Sequence, residues 1–493
     1  MTRRPVQKVA VIGAGISGVV SAAHLLAAGI EVTVFERNDA AGGVWLHDER
    51  KPLDPVYPST KPSQAERHDD PLPEGNDKRR LEHAPPGPCY DGLRNNVSTP
   101  LMRTKLCAWP DGTPDFVSHV VMKQYIQDTS ANAGVEKATV YGARVTSLRK
   151  KDDRWDLTWS TLIEGLHSGL VEEKDHISTF DAVVVASGHY HAPRIPDIPG
   201  LSDAKARWPA RIFHSKGYRK PDGFENRNIL LIGGGVSATD IAREIGSTAK
   251  TVYQSTRNGE FDLPSSMLPE NSLRISEIDR IEVQSGIQIL DNAPLPLVVH
   301  LKSGQRLCGI DGIIICTGYH ITLPFLREYH DDETSAADAN NTVLVTDGTQ
   351  VHNLHKDIFY IPDPTLVFVG VSYYTATFTL FEFQAIVVAA VFSGAAQLPS
   401  KEKMRAEYTG RIKAKGSGRA FHSLKDVEEH YVDDILNWVN RGRAAHGLPA
   451  IEGHTKTWHA AKEAQRERLK QLFATGNRRD SGVGEIPVLD VCS

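Results

Sequence analysis

Cysteine is scarce in this chain. Five residues (Cys89, Cys107, Cys308, Cys316 and Cys492) are scattered over 493 positions, odd in number and without a C-x-x-C pair. That argues against a disulfide framework, a zinc site and a dithiol redox centre, and leaves free thiols in a reducing compartment as the expectation. Long apolar runs are lacking too. None approaches the roughly 20 residues that a membrane-spanning helix needs, and the best candidates, 366–371 and 386–392, are short or broken by polar residues. The stretch 455–475 has a helical pattern but is crowded with Lys, Glu, Arg and Gln, so no membrane anchor is expected. The basic start, 1–7, runs into a strand-like VAVIG segment with no signal-peptide core, which predicts a cytoplasmic protein. Nor is there an excess of one charge: 56 Lys and Arg face 61 Asp and Glu, for a net −5 without a basic patch. Nucleic acid is therefore not an expected partner.

What is present suits a soluble globular protein of two or three domains, with 40% hydrophobic and 24% charged residues. An apolar strand at 8–12 leads into Gly13-Ala14-Gly15-Ile16-Ser17-Gly18, then an Ala- and Leu-rich helix ending near Gly29, then a strand at 31–35 closed by Glu36. Strand before, helix after and an acid at the next strand end are the setting a dinucleotide-binding turn requires. Gly13 permits the tight turn, Gly15 lets the backbone approach a pyrophosphate, and Gly18 lets helix and strand pack closely. Glu36 is placed to accept hydrogen bonds from an adenosine ribose. The stretch 47–88 holds nine prolines and no hydrophobic period, and reads as a long surface loop.

A second unit of the same kind opens at 228–232, with Gly233, Gly235 and Ala238 in the turn. Its next strand ends not in an acid but in Gln254-Ser255-Thr256-Arg257. Two hydroxyls and a guanidinium, with no carboxylate to repel it, accommodate a 2′-phosphate, so NADPH is favoured over NADH. The segments FDAVVVASG at 180–188 and DGIIICTG at 311–318 share one pattern. Together these predict an α/β protein of two Rossmann-like domains, the NADPH domain inserted into the FAD domain. The expected boundaries are 1–195 and 326–493 for the FAD domain and 196–325 for the NADPH domain.

With these motifs in view, the chain resembles the flavin-containing monooxygenases, and its proline-rich insert is similar to that of yeast and fungal members. The resemblance is carried by both glycine turns, by Gly42-Gly43-Val44-Trp45, Leu93-Arg94-Asn95-Asn96 and Gly233 to Asp240, and by Cys316-Thr317-Gly318-Tyr319 and the Phe381-Glu382-Phe383-Gln384 helix. It implies that NADPH reduces FAD and that a C4a-hydroperoxyflavin oxygenates a nitrogen or sulfur of a small, soft-nucleophile substrate. It further implies Asn96 as a catalytic residue beside the flavin, Val44, Trp45, Asn95 and Gln384 at the cofactor, and Ser237, Ala238, Thr239 and Asp240 at the NADP⁺ phosphates. A homodimer is compatible with it.

The family fingerprint F-x-G-x-x-x-H-x-x-x-(F/Y) is altered here: Trp208 and Ala210 replace its first two members, while His214 and Tyr218 stand where expected. That bears on linker geometry, and His214 reads as a hydrogen-bonding link between domains rather than as an acid or base. Baeyer–Villiger relatives usually carry Trp at the Tyr218 position, so heteroatom oxygenation leads. A Baeyer–Villiger enzyme acting on a ketone and a non-catalytic flavoprotein binding module are the alternatives. A disulfide reductase would need a paired-cysteine centre.

Overall fold

Lys8–Ile12 (KVAVI) is apolar at four successive positions, the pattern of a parallel strand covered on both faces. It pairs parallel with Glu31–Phe35 on one side and Ala182–Val185 on the other, with Val9 opposite Val32 and Ala182. The structure, a computed structural model, describes residues 5–66, 75–164, 170–284 and 293–480. Within these, the first sheet has seven strands in the order Leu354–His355, Phe359–Tyr360, Leu366–Phe368, Ala182–Val185, Lys8–Ile12, Glu31–Phe35 and Thr139–Val140. Its two faces are covered differently. One packs against the helices Ile16–Ala27 and Thr377–Phe392, the other against an antiparallel meander of Arg144–Lys151, Arg154–Glu164 and Val171–Phe180.

The second sheet has five parallel strands, in the order Ser272–Ile275, Thr251–Ser255, Asn228–Ile232, Gly312–Ile315 and Ile212–His214. It lies between the two passages of the chain that build the first sheet, so the predicted insertion of one Rossmann-like unit into another is what the topology shows. The outgoing and returning linkers, Ala192–Pro193 and Tyr319–His320, pair antiparallel and form a narrow ribbon between the units. His214 is fully buried beside this ribbon: its Nε2 lies 3.1 Å from the Gly318 carbonyl, and its Nδ1 accepts from the Lys216 amide at 3.1 Å. That pair of bonds fits a neutral ring linking the two crossings. Ala210 is exposed and outside the positive-φ region, so alanine costs no strain there.

Two expectations need correcting. The proline-rich stretch is not a surface loop in its described parts. It contains the helix Asn76–His83, buries Leu53, Ser59 and Ala65, and pairs Ser59 with Ile195 of the outgoing linker. Asp54 reaches Lys205 of the inserted unit at 2.6 Å. Single residues plug separate gaps along this strap, which is why no hydrophobic period betrays it. Residues 67–74 of the stretch lie outside the described residues. Among the cysteines, Cys89, Cys107 and Cys316 are free thiols, but Cys308 is disulfide-bonded, against the expectation of free thiols throughout. Cys492 is outside the described residues. Among the described residues no helix is long and apolar enough to cross a membrane, and no cluster of three metal-ligating side chains occurs.

Candidate active site

Both glycine turns open into one continuous cleft of about 3050 Å³ between the units. Pockets for single small ligands run to ~300–1,000 Å³, so this cleft has room for two dinucleotides and a substrate. At the first turn Gly13 has φ +102°, and a methyl group on it would stand 2.7 Å from the Ala186 carbonyl oxygen. Over this turn lies the tight bend Gly42-Gly43, and a methyl on Gly43 would come within 2.9 Å of Gly15 Cα. That bend places Val44, 37% exposed, and the half-buried Trp45 on the cleft wall.

Glu36 is buried and oriented by the protein itself. Its Oε2 accepts from the Ala14 amide at 2.7 Å, and its Oε1 from the Asn38 amide at 2.9 Å and from Asn38 Nδ2 at 2.7 Å. A carboxylate offers about four acceptor positions, so the cleft-facing edge retains capacity for a ribose hydroxyl.

Sequence reasoning missed a buried cationic group behind this acid. Arg37 Nη2 lies 2.8 Å from His191 Nδ1, and Lys216 Nζ donates to the His191 carbonyl at 2.8 Å. Burial, reinforced by Arg37 and Arg219, lowers the Lys216 ammonium to about 7. Burial likewise lowers the Arg37 guanidinium and drives His191 well below its usual value, with Arg37 adding to the latter. Arg37, His191 and Lys216 all line the cleft, and among them the Arg37 guanidinium offers charge to a diphosphate. The available signal was Arg37 directly after the acid at the strand end.

Asn95 and Asn96, adjacent in sequence, do different things. Asn95 is buried; its Nδ2 donates to the Val97 and Asp115 carbonyls at 2.7 and 2.8 Å, and its Oδ1 accepts from the Val117 amide at 2.5 Å. With its amide fully committed, Asn95 shapes the loop. Asn96 is exposed to the cleft, and its amide makes no hydrogen bond among the described residues.

At the second turn Gly233 has φ +129°, and a methyl on it would stand 2.5 Å from the Cys316 carbonyl oxygen. The loop after the following strand folds back onto this turn, with Leu263 N bonded to the Gly234 carbonyl at 2.8 Å. Asp262 on that loop accepts from the Thr256 hydroxyl and from the Gly259 amide, and Ser255 Oγ donates to the Ser276 carbonyl at 2.9 Å. Both hydroxyls expected at a 2′-phosphate are thus committed within the protein, while Arg257 is exposed in the cleft. Asp262 had no sequence signal, being brought to the turn by loop folding alone.

Gly13, Gly15, Ile16, Ser17, Glu36, Val44, Trp45, Asn95, Asn96, Gly233, Gly235, Ser237, Asp240, Ser255, Thr256 and Arg257 therefore share one cleft. Ala14, Gly18, Ala238, Thr239 and Gln384 do not line it. Gly18 faces the Gly13 carbonyl, Ala238 and Thr239 are fully buried, and Gln384 braces the Gly370 amide at 3.1 Å and the Tyr431 hydroxyl at 3.0 Å. Asp240 accepts from the Tyr90 hydroxyl at 3.3 Å, and burial raises its carboxyl.

The chain matches the family described as flavin-binding monooxygenase-like over residues 82–268 and 281–444, and a NAD(P)-binding Rossmann-like domain over 11–63. It is 54% identical over 486 residues to the flavin-containing monooxygenase ustF2 of Aspergillus flavus, covering 94% of this chain and 98% of that one. It is 46% identical over 479 residues to ustF1 of the same organism, covering 96% and 94%. Among solved structures it is similar to the S-allyl-L-cysteine S-oxygenase of Allium sativum, with TM-score 0.66 at 25% identity over 96% of this chain and 98% of that one.

Proposed function

This chain belongs to the flavin-containing monooxygenases, and from that membership we propose that it oxygenates a nitrogen or sulfur centre of a small, soft-nucleophile substrate. It is an FAD- and NADPH-dependent monooxygenase that uses molecular oxygen on a small molecule. One observation carries the finer reading: a single cleft joins both glycine turns and passes the uncommitted amide of Asn96. The name of the Allium sativum relative, an S-oxygenase, supports a sulfur acceptor.

Bound FAD supplies the ring that activates oxygen, and bound NADPH supplies the hydride. Everything else falls to the protein. In our reading residues 1–195 and 326–493 hold the FAD and 196–325 the NADPH. The amides at the start of the helix Ile16–Ala27 would meet the first diphosphate. Glu36 holds the adenosine ribose, and Arg37 neutralises phosphate charge. Val44 and Trp45, on the cleft wall, would border the flavin ring and help to exclude water from it. Asn96 offers a donor and an acceptor at the reacting centre without introducing charge. On the other side the Gly233–Ala238 turn carries the second diphosphate, and Arg257 meets the 2′-phosphate. A cytoplasmic site of action and a homodimer belong to the same proposal, and fractionation and light scattering test them.

The deciding experiment supplies the FAD-loaded protein with NADPH, isotopically labelled oxygen and, in turn, a tertiary amine, a thioether and a cyclic ketone. An N-oxide or sulfoxide carrying one labelled oxygen is expected. Conversion of the ketone alone to an ester would replace this reading with Baeyer–Villiger chemistry. NADPH consumption yielding only hydrogen peroxide with all three would remove it.

A further inference from the structure

The helix Lys456–Asp480 lies beyond residue 444, where the family match ends. Its composition is that of a solvated helix, yet its residues from Ala461 to Leu469 contribute to the lining of the cleft. At its start Trp458 is 3% exposed, stacked on His454 at 3.5 Å and packed with Leu101 and Ala376. One turn later Lys462 Nζ meets the Glu428 carboxylate at 2.6 Å, and Arg466 meets Glu429 at 2.5 Å. Arg468 then sits 4.3 Å over the ring of Phe116, on the segment to which Asn95 is bonded. The helix also lies against Ser265–Met267 of the inserted unit. It therefore spans the boundary between the two units, next to the loop that carries Asn96.

Two side chains of this helix face the cleft with nothing to do in the fold. Leu469 is 43% exposed, and the amide of Gln465 makes no hydrogen bond among the described residues; both line the cleft that Asn96 and Met267 also line. An apolar side chain beside an uncommitted amide is the lining by which pockets fix a small ligand's orientation.

We propose that the C-terminal helix is the substrate-selecting wall of this enzyme, with Leu469 and Gln465 as its specificity-determining residues. The substrate it fits has an apolar body, met by Leu469, and a hydrogen-bonding group within reach of Gln465. The proposal rests on reading the cleft as the substrate chamber of a nitrogen- or sulfur-oxygenating enzyme.

The test uses the full-length, FAD-loaded protein and point variants at Leu469, because removing the helix would strand the buried Glu428. The probes are dimethyl sulfide against benzyl methyl sulfide, and trimethylamine against N,N-dimethylbenzylamine. Rates are normalised to each variant's own flavin reduction by NADPH. Leu469→Trp is expected to lower kcat/KM for the benzyl member by about tenfold or more relative to its small partner, and Leu469→Ala to shift the ratio the other way. An equal effect on both members of a pair, or none, overturns the proposal. Should the wild-type protein convert no probe, the nitrogen and sulfur chemistry is at fault, and the wall is read from substrate-free hydrogen peroxide release. Leu469→Ala raises that release several-fold if the helix keeps water out of the chamber. An unchanged release overturns the proposal.

Discussion

Arg411 grips Asp357 with both arms: Nη1 and Nη2 stand 2.6 and 2.8 Å from the two carboxylate oxygens. Asp357 is fully buried, and His422 Nδ1 lies 2.9 Å from the same carboxylate. Burial alone would raise this carboxyl; Arg411 and then His422 outweigh it and hold it far below the usual range. His422 also lies at the base of the loop that brings Arg419 to the cleft. Removing one partner of a buried pair leaves the other uncompensated. Asp357→Asn is expected to cost about 3–5 kcal/mol, read as a loss in urea or thermal unfolding.

The two glycine turns make separable predictions. Gly13→Ala forces a side chain into φ +102° and against the Ala186 carbonyl, so the purified variant should retain little flavin. Gly233→Ala meets the Cys316 carbonyl instead. It should keep its flavin while the KM for NADPH rises by about tenfold or more, a change of ~1.4 kcal/mol. Flavin absorbance per protein and initial rates against NADPH separate the two.

Arg257 is the cation proposed for the 2′-phosphate, and the neighbouring Ser255 and Thr256 hydroxyls are engaged elsewhere. Arg257→Ala should lower kcat/KM for NADPH by about 10- to 100-fold, the worth of one or two charge-assisted hydrogen bonds, with little effect on NADH. Loss of rate with both cofactors alike would count against the assignment.

Acid should destabilise the protein through its buried histidines. Burial, with Lys216 second, lowers His214 from 6.5 to about 3, and burial with His422 lowers His189 to about 4. Between those values and 6.5 the unfolded chain binds more protons than the folded one, so stability falls as pH drops through that window. Lys216 acts in the same direction higher up, since between about 7 and 10.5 its unfolded form takes the extra proton. The melting temperature should therefore decline steadily below pH 6.5, and His214→Gln should flatten the slope. A flat profile from pH 8 to 4.5 would contradict this.

Much of this could be read before any coordinates. The glycine turns, Glu36 and the strands that carry them are local patterns, each complete within about thirty residues. What escaped is non-local. The meander strands Arg154–Glu164 and Val171–Phe180 pair Trp155 with Phe180, and the second buries only its two end residues, so no alternation marks it. Asp54 needs Lys205, Glu428 needs Lys462, and Asp262 needs Thr256, and nothing near either member of a pair announces the other. Gln384 illustrates the converse. Its motif is visible, but the structure turns its amide inward to Gly370 and Tyr431. A pattern identifies a residue without fixing the direction in which it points.

The interrupted first sheet has a consequence for synthesis. Ala182–Val185 takes one parallel neighbour from the start of the chain and the other from Leu366–Phe368. A nascent chain must extend beyond residue 368 before that sheet can close. The inserted five-stranded unit, contiguous from Ile212 to Ile315, is complete well before then. Domains generally fold as units while the ribosome is still at work, so the NADPH unit would be finished while the FAD unit still waits for its last strands. During that interval the apolar edge of Ala182–Val185 is uncovered, and an unpaired strand edge of this kind is open to aggregation until Leu366–Phe368 arrives.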